Sequence, residues 1–325
     1  MRRDEAASCW RMWYYCRSSA FPGEVAPAFG TGAIATAVSE DGVHWCREDG
    51  PLAGGAVFLP AADPRAFDST HVGTGDVIRY RDRWLMAYFG GNDEVPAGAK
   101  EMYTHPGYSC RLGLAESSDG INWTRLPGPA AGGAIVEVDE SSVYAAFPSL
   151  VVVDDGLMIH YTSVDKLGRY HSTHMLRSRN LESWHAATGF IFESDVLPHE
   201  SAGIVNLDIV ESPFSERGRW LMVYTARDGR PETAERRSIC AAYSDDLIAW
   251  RRHSPLPFFT VGTHGAWDSA GVASPKLVIT PEDFRLYYYG WSNASHSGHP
   301  ARGIGCAVSA TRRLNAFRRV QPVIG

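Results

Sequence analysis

Short runs in which apolar and polar residues alternate recur along the whole chain, rich in aromatic and β-branched side chains and cut by Gly, Pro and Asp. A period of two marks half-buried β-strands, and no long stretch keeps the 3.6-residue period of a helix. One aromatic run recurs as Trp10-Arg11-Met12-Trp13-Tyr14-Tyr15, Arg83-Trp84-Leu85-Met86-Ala87-Tyr88, Leu157-Met158-Ile159-His160-Tyr161, Arg219-Trp220-Leu221-Met222-Val223-Tyr224 and Arg285-Leu286-Tyr287-Tyr288-Tyr289. A second kind of run, made of small residues, follows after a loop at Gly32–Ala37, Arg111–Ala115, Ser238–Ala242 and Gly303–Ala307. Each module then closes on a turn and an aromatic, as in Asp41-Gly42-Val43-His44-Trp45 and Asp119-Gly120-Ile121-Asn122-Trp123.

Modules of strands repeating every roughly 60–80 residues imply a radial array, because one such unit cannot bury its apolar faces alone. The expected fold is all-β, a five-bladed β-propeller of four-stranded antiparallel blades in one domain, 1–325. Its modules fall near 1–50, 66–128, 144–189, 204–254 and 267–325. Within a blade the inner strand A comes first, B carries the aromatic run, C the small residues, and D ends at the closing aromatic. Module one shows no evident strand A, since Met1 to Ser8 is short and charged.

In an antiparallel blade the start of A and the end of B lie at one end of the sheet. The long loops enter A and leave B, whereas the A–B connections are tight turns such as Arg81-Asp82. Long loops on one rim of a rigid scaffold are where binding residues gather, so the site is expected there.

Composition narrows the partners. The net charge is −6, without a basic stripe, which disfavours nucleic acid and anionic membrane. No apolar run is long enough to cross a bilayer, and Met1-Arg2-Arg3-Asp4-Glu5 leads into a strand, so no secretory leader is expected. Six scattered cysteines without metal-type spacing read as reduced residues of a cytoplasmic protein. The expected partner is a small molecule, with no nucleic acid and no membrane.

Glu211-Ser212-Pro213 stands before the fourth aromatic run and makes Glu211 the first candidate for catalysis. Asp76, on the second inner strand, and Asp208, on the same strand as Glu211, are candidate partner carboxylates; Glu200 in His199-Glu200-Ser201 lies on the loop entering it. Asp68 in Phe67-Asp68-Ser69 and Asp268 in Trp267-Asp268-Ser269 are equivalent by repeat, which favours a structural turn over chemistry. For substrate binding the candidates are His71, Arg17, Phe89, Tyr144, His199, Glu200, Arg227, Trp267 and Trp291, all near the ends of A or B. Arg227 either pairs with Asp228 or binds ligand hydroxyls or a carboxylate. No paired histidine spacing marks a metal centre, so no metal ligand is assigned and no cofactor is required; His71 is placed to ligate an axial divalent ion if one binds.

Five modules, acid-x-Pro elements and the Trp/Tyr-rich second strand resemble the five-bladed propeller glycosidases, the family 32 and family 43 group of fructosidases, arabinanases and xylosidases. The resemblance covers most of the chain and implies that Glu211 is the general acid, with inner-strand Asp residues as base and as tuner of the acid. The pattern departs at Phe147-Pro148, where Phe takes the place of the tuning Asp, and at Thr74-Gly75-Asp76, which lacks Pro. What the resemblance implies is a carbohydrate-active enzyme that cleaves a small glycoside by carboxylate acid/base chemistry. Two alternatives stay open: a cyclisation or rearrangement of a biosynthetic intermediate on the same scaffold, and a sugar-binding propeller without catalysis.

Overall fold

The computed structural model describes residues 1–5, 7–16, 32–95, 107–137, 142–154, 156–168, 170–186, 197–230, 236–296 and 299–320. Among them lie five four-stranded antiparallel sheets, each built from consecutive strands in spatial order. The first is β1 (Arg2–Asp4), β2 (Cys9–Cys16), β3 (Ala33–Ser39) and β4 (Cys46–Glu48). The second is β5 (His71–Tyr80), β6 (Arg83–Gly91), β7 (Arg111–Ser117) and β8 (Thr124–Leu126). The third is β9 (Tyr144–Val153), β10 (Gly156–Val164), β11 (Tyr170–Ser178) and β12 (His185–Ala186). The fourth is β13 (Ile204–Glu211), β14 (Trp220–Arg227), β15 (Arg237–Ser244) and β16 (Arg251–Arg252). The fifth is β17 (Gly271–Ile279), β18 (Phe284–His296), β19 (His299–Ser309) and β20 (Arg318–Val320). This is the blade set of a five-bladed β-propeller.

The chain divides into two compact units. One comprises Met1–Gly42 with Cys46–Ala187 and carries blades one to three; the other comprises Val43–Trp45 with Thr188–Gly325 and carries blades four and five.

The octet that looked too short and charged to be a strand supplies the inner strand of blade one. Arg2, Arg3 and Asp4 pair with Arg11, Trp10 and Cys9. Charge is tolerated there because Arg2 is spent on blade two, donating from Nε to the Val77 carbonyl at 2.8 Å. Strand D also differs from expectation: it begins after the closing aromatic. The aromatic belongs to the C–D turn, in which the Oγ of Ser117, Ser178 and Ser244 accepts the N–H three residues on, at 2.9, 2.9 and 3.0 Å. That third residue is left-handed (Gly120 φ 77°, Leu181 φ 69°, Leu247 φ 66°). Its carbonyl then accepts the indole N–H of Trp123, Trp184 and Trp250.

Strand B reads apolar on both faces because it is central in a sheet covered on both sides. β6 and β10 are almost wholly buried, the pattern of a doubly covered strand. In the first unit Trp13, Trp84, Met86 and Val77 fill one core, and Leu85, Leu112, Leu157 and Ile159 another. In the second, Leu221, Val223, Leu277, Leu286 and Tyr288 do the same. Trp13, Trp84, Trp220 and Tyr288 are thus core residues, as their repeat positions imply.

Candidate functional site

Four inner strands share one irregularity. The ladder slips between Thr74 and Asp76 in β5, opposite His160 to Thr162 in β9, between Val205 and Asp208 in β13, and between Ala273 and Lys276 in β17. These are β-bulges, which re-aim a side chain out of the pleat. Their extra residues are Gly75, Phe147, Asn206 and Ser274. The last three hold φ of 55°, 50° and 52°, a region that costs a non-glycine residue on the order of 1–3 kcal/mol and collects at functional sites. Phe147, Asn206 and Ser274 are each half-buried. The Asn206 amide donates to the Ser274 hydroxyl, and the Ser274 N–H donates to Thr225 Oγ1 at 2.9 Å, so the bulges of β13 and β17 are tied together. Gly75 cannot carry a Cβ, because it lies against Pro148 of blade three.

The two carboxylates next to these bulges serve the blades. Asp76 is buried and accepts the Leu150 N–H of β9 at 3.1 Å, its neighbour Val77 N–H at 2.9 Å, and Arg2 Nη2 at 3.3 Å. Asp208 repeats this in the second unit, accepting the Leu277 N–H of β17 at 2.9 Å and Lys276 Nζ at 2.7 Å. Each clamps its own inner strand to the next one. A buried carboxylate requires such partners, and their acceptor sites are occupied by backbone and cation.

A second repeated device accounts for the acids on the loops entering A. Asp68 accepts Tyr88 Oη at 3.0 Å and Arg125 Nε at 2.8 Å. Asp268 accepts Tyr288 Oη at 2.8 Å and Arg319 Nε at 2.7 Å. Glu200 accepts Tyr224 Oη at 2.7 Å and Arg252 Nη2 at 2.6 Å. In each case the acid comes from the loop before A, the Tyr from B and the Arg from D, so one buried knot fastens loop to blade. The aromatic before the acid stacks on the Tyr: Phe67 on Tyr88 and Trp267 on Tyr288, both with centroids 5.8 Å apart. Glu200 and Trp267, both candidate substrate contacts, are parts of this knot; Trp267 also roofs Gly290 and Gly305, where a Cβ would strike its ring. His199 occupies the same slot in blade four, and burial lowers its pKa although Glu200 opposes the shift.

Glu211 does not reach the rim. It ends β13, opposite Trp220 at the A–B hairpin, and is exposed. That is the end of the blade away from the loops entering A and leaving B. The Glu-x-Pro match thus lies at the opposite end of the strand from the rim expected to hold the site. His71, Phe89 and Tyr144 do sit at the rim end of their strands, but inside the first unit's packing. All three are buried. Phe89 meets Phe147 with centroids at 4.9 Å and His71 at 6.1 Å, and Cys110 Sγ lies 3.8 Å from His71 Nε2. Phe147 is the half-buried member of this aromatic group. Arg17 lies outside the described residues.

The second unit carries the remaining candidates. Arg227 and Trp291 are half-buried. Sequence reasoning missed Arg237, directly opposite Arg227 on β15, and Tyr289, stacked on Trp291 at 5.5 Å. The missed signal was the register of B against C. It also missed what Asn92, Asp165 and Asp228 do at the end of strand B. Each accepts the N–H two residues on, at 3.2, 2.9 and 3.1 Å, forming an Asx turn that launches the loop.

One group among the described residues has metal-ligand atoms close together: His199, Glu200 and Cys240, within 4.8 Å of one another. The donor set does not suit a cation here. Arg252 grips both Glu200 oxygens, and burial pushes the Cys240 thiol up to about 12, far from the thiolate a metal needs.

No family model matches the chain. Over 184 residues, 56% of the chain, it is 26% identical to a 1,2-beta-oligomannan phosphorylase of Thermoanaerobacter sp. (strain X514). The match takes in 53% of that protein, so the chain spans about half the length of the curated relative. Among solved structures, sucrose-6-phosphate hydrolase from Lactobacillus gasseri superposes with a TM-score of 0.64 at 13% identity, covering 97% of this chain and 59% of that one. A glycosyl hydrolase from Bacteroides ovatus gives 0.58 at 19% identity, covering 85% and 80%. A member of the family 130 of mannoside phosphorylases, a family reported to contain hydrolases of beta-1,2 mannosidic linkages, gives 0.59 at 18%, covering 85% and 79%. At such identities the likeness is one of architecture: the chain has the five-bladed propeller fold of the family 32, 43 and 130 glycoside-active enzymes.

Proposed function

We propose that this protein is a carbohydrate-active enzyme of the propeller glycosidase type, acting on a small glycoside at the rim where the inner strands begin. The observation that carries this is the rim of the second unit. Asn206 and Ser274 bring hydrogen-bonding groups to the bulges of β13 and β17, and the same unit holds Arg227 and the aromatic Trp291, both half-buried, on β14 and β18. Sugars are recognised in this way, their C–H faces on an aromatic ring and their hydroxyls on a few fixed polar groups. The names of the relatives, phosphorylase and hydrolases, point to cleavage of a glycosidic bond by phosphate or by water. In this reading Asp76 and Asp208 hold the bulged strands in place and take no proton. All six cysteines are free, which supports a reducing, cytoplasmic setting.

The test is a panel of aryl mannosides, fructosides, arabinosides and xylosides, offered with and without inorganic phosphate. Free sugar as product identifies hydrolysis, and sugar phosphate identifies phosphorolysis. Asn206→Ala and Trp291→Ala are expected to lower kcat/KM at least tenfold, since each removes a rim contact. Absence of both turnover and binding across the panel would remove the proposal. A second reading, sugar binding without cleavage, is favoured by one feature: Phe147, Asn206 and Ser274 put no carboxylate at the three strained bulge positions. Binding without turnover would select it.

A further inference from the structure

We propose that the outer flank of blade two holds a second sugar site, where one ring of a glycan stacks on Trp123. This rests on the glycoside reading above, since the occupant is taken from the same class of molecule. The observation behind it is one arrangement built twice, closed in one unit and open in the other. In the first unit the Ile34 N–H donates to the Phe58 carbonyl at 2.9 Å and the Val57 N–H to the Ile34 carbonyl at 2.8 Å. Arg125 lies over the Phe58 ring at 4.1 Å and donates to the Leu59 carbonyl at 2.6 Å and to Asp68 at 2.8 Å. In the second unit the Ile239 N–H donates to the Phe259 carbonyl at 2.8 Å and the Phe258 N–H to the Ile239 carbonyl at 3.1 Å. Arg319 lies over the Phe259 ring at 4.3 Å and donates to the Thr260 carbonyl and to Asp268. Val57 thus stands where Phe258 stands. Trp123 stands where Phe317 stands, each two positions before the Arg of its knot.

The two copies differ in what meets that last aromatic. Phe258 and Phe317 pack ring against ring, their centroids 5.8 Å and their planes 38° apart. Val57 has no ring to offer Trp123, and a cavity of about 320 Å³ lies between residues 51–60 and 121–125. That is the size of a small-molecule site, which begins at about 300 Å³. The half-buried indole is fixed, its N–H donated to the Gly120 carbonyl at 3.1 Å and its ring edge-on to Trp13 with centroids 6.2 Å apart. Pro51, Leu52 and Pro60 add apolar walls, and the exposed Asn122 and Thr124 add polar groups. The Asn122 amide is oriented by donating to Asp119 at 2.8 Å. Arg125 is the one charged residue of the lining, and Asp68 is its counter-ion. Such a lining suits an uncharged ring with apolar faces and a hydroxyl edge, the faces on indole and the hydroxyls on Asn122 and Thr124. Trp123 follows the end of β7 at Ser117, which pairs with Trp84 beside the A–B hairpin. The flank site therefore lies at the end of blade two away from the rim.

Indole N–H signals in the NMR spectrum of the isotope-labelled whole chain test this, titrated with short linear oligosaccharides of mannose, fructose, arabinose and xylose. Trp123→Phe and Trp291→Phe identify the two signals that matter. The expected result is a saturable shift of the Trp123 signal with at least one of the oligosaccharides. Val57→Phe copies the closed arrangement, and is expected to weaken binding at Trp123 at least tenfold while the Trp291 signal titrates as in the wild type. A Trp123 signal that stays in place while that of Trp291 moves would overturn the inference and leave the glycoside reading standing. The reverse would keep the flank site and remove the rim reading. If neither signal moves, both fall. A folded Val57→Phe that binds at Trp123 as tightly as the wild type would also overturn the inference, and the wild-type titration decides the matter if that variant does not fold.

Discussion

Asp208 offers the sharpest separation between architecture and chemistry. Its carboxylate is 1% exposed and carries two bonds, to the Leu277 N–H at 2.9 Å and to Lys276 Nζ at 2.7 Å; the Lys276 side chain is 19% exposed. Asp208→Ala strands a buried amide N–H, at about 1–3 kcal/mol, and removes the partner of a mostly buried ammonium. Breaking a buried ion pair from one side costs about 3–5 kcal/mol in all. Lys276→Ala should cost less, because Asp208 keeps the Leu277 amide, and the double variant should cost less than the sum of the two. Urea unfolding of the wild type, both single variants and the double variant gives this coupling, expected at about 1–3 kcal/mol. Turnover or sugar binding per folded molecule is then compared at a temperature where every variant remains native. The reasoning is refuted if Asp208→Ala unfolds within about 0.5 kcal/mol of wild type yet has lost all turnover. In that case the carboxylate handles protons and the clamp is incidental.

The remaining predictions concern other parts of the frame. Arg252→Met should destabilise by about 3–5 kcal/mol, because Glu200 would stay buried without its cation, and Tyr224→Phe by only about 1 kcal/mol; thermal melts rank the two. His160 is fully buried, without a hydrogen-bond partner among the described residues, and desolvation lowers its pKa to about 3. The unfolded chain therefore binds a proton below about 6.5 that the folded chain refuses. Stability should fall, by up to about 1.4 kcal/mol per pH unit from this group, as pH drops from about 6.5 toward 3. His160→Leu should flatten that part of the stability curve, and an unchanged slope would contradict the assignment. Gly75→Ala should lower the melting temperature, by an overpacking cost of about 1–3 kcal/mol against Pro148. In the native protein a charged alkylating reagent should modify the exposed Cys46 and spare Cys110, Cys240 and Cys306, as mass spectrometry of the intact chain would show.

The blades were legible in the sequence because the central strand of each, sealed on both faces, must be apolar throughout and rich in aromatics; Trp84-Leu85-Met86 and Trp220-Leu221-Met222 state this almost letter for letter. The equivalence of Asp68 and Asp268 also held as structural, although through a Tyr and an Arg from distant strands and not through a local turn. Alternation does not reveal backbone sign, so the left-handed residues at Phe147, Asn206 and Ser274 were invisible, although two of them precede a proline. Glu211 misled because a Glu-x-Pro string fixes neither end of a strand; only the pairing of Glu211 with Trp220 shows which rim it lies on. The place of Glu200 in this device was hidden because its counterparts, Asp68 and Asp268, are aspartates.

The bulges have a consequence for how such a protein changes over time. The extra residue of each inner strand makes no ladder contribution of its own, while the flanking positions hold the sheet together. A Gly, a Phe, an Asn and a Ser already occupy this same address in four blades of one chain. Gly75 is closed to change by Pro148, and Asn206 and Ser274 change only as a pair, so Phe147 is the address at which a new substrate could be learned by a single substitution on an unaltered frame.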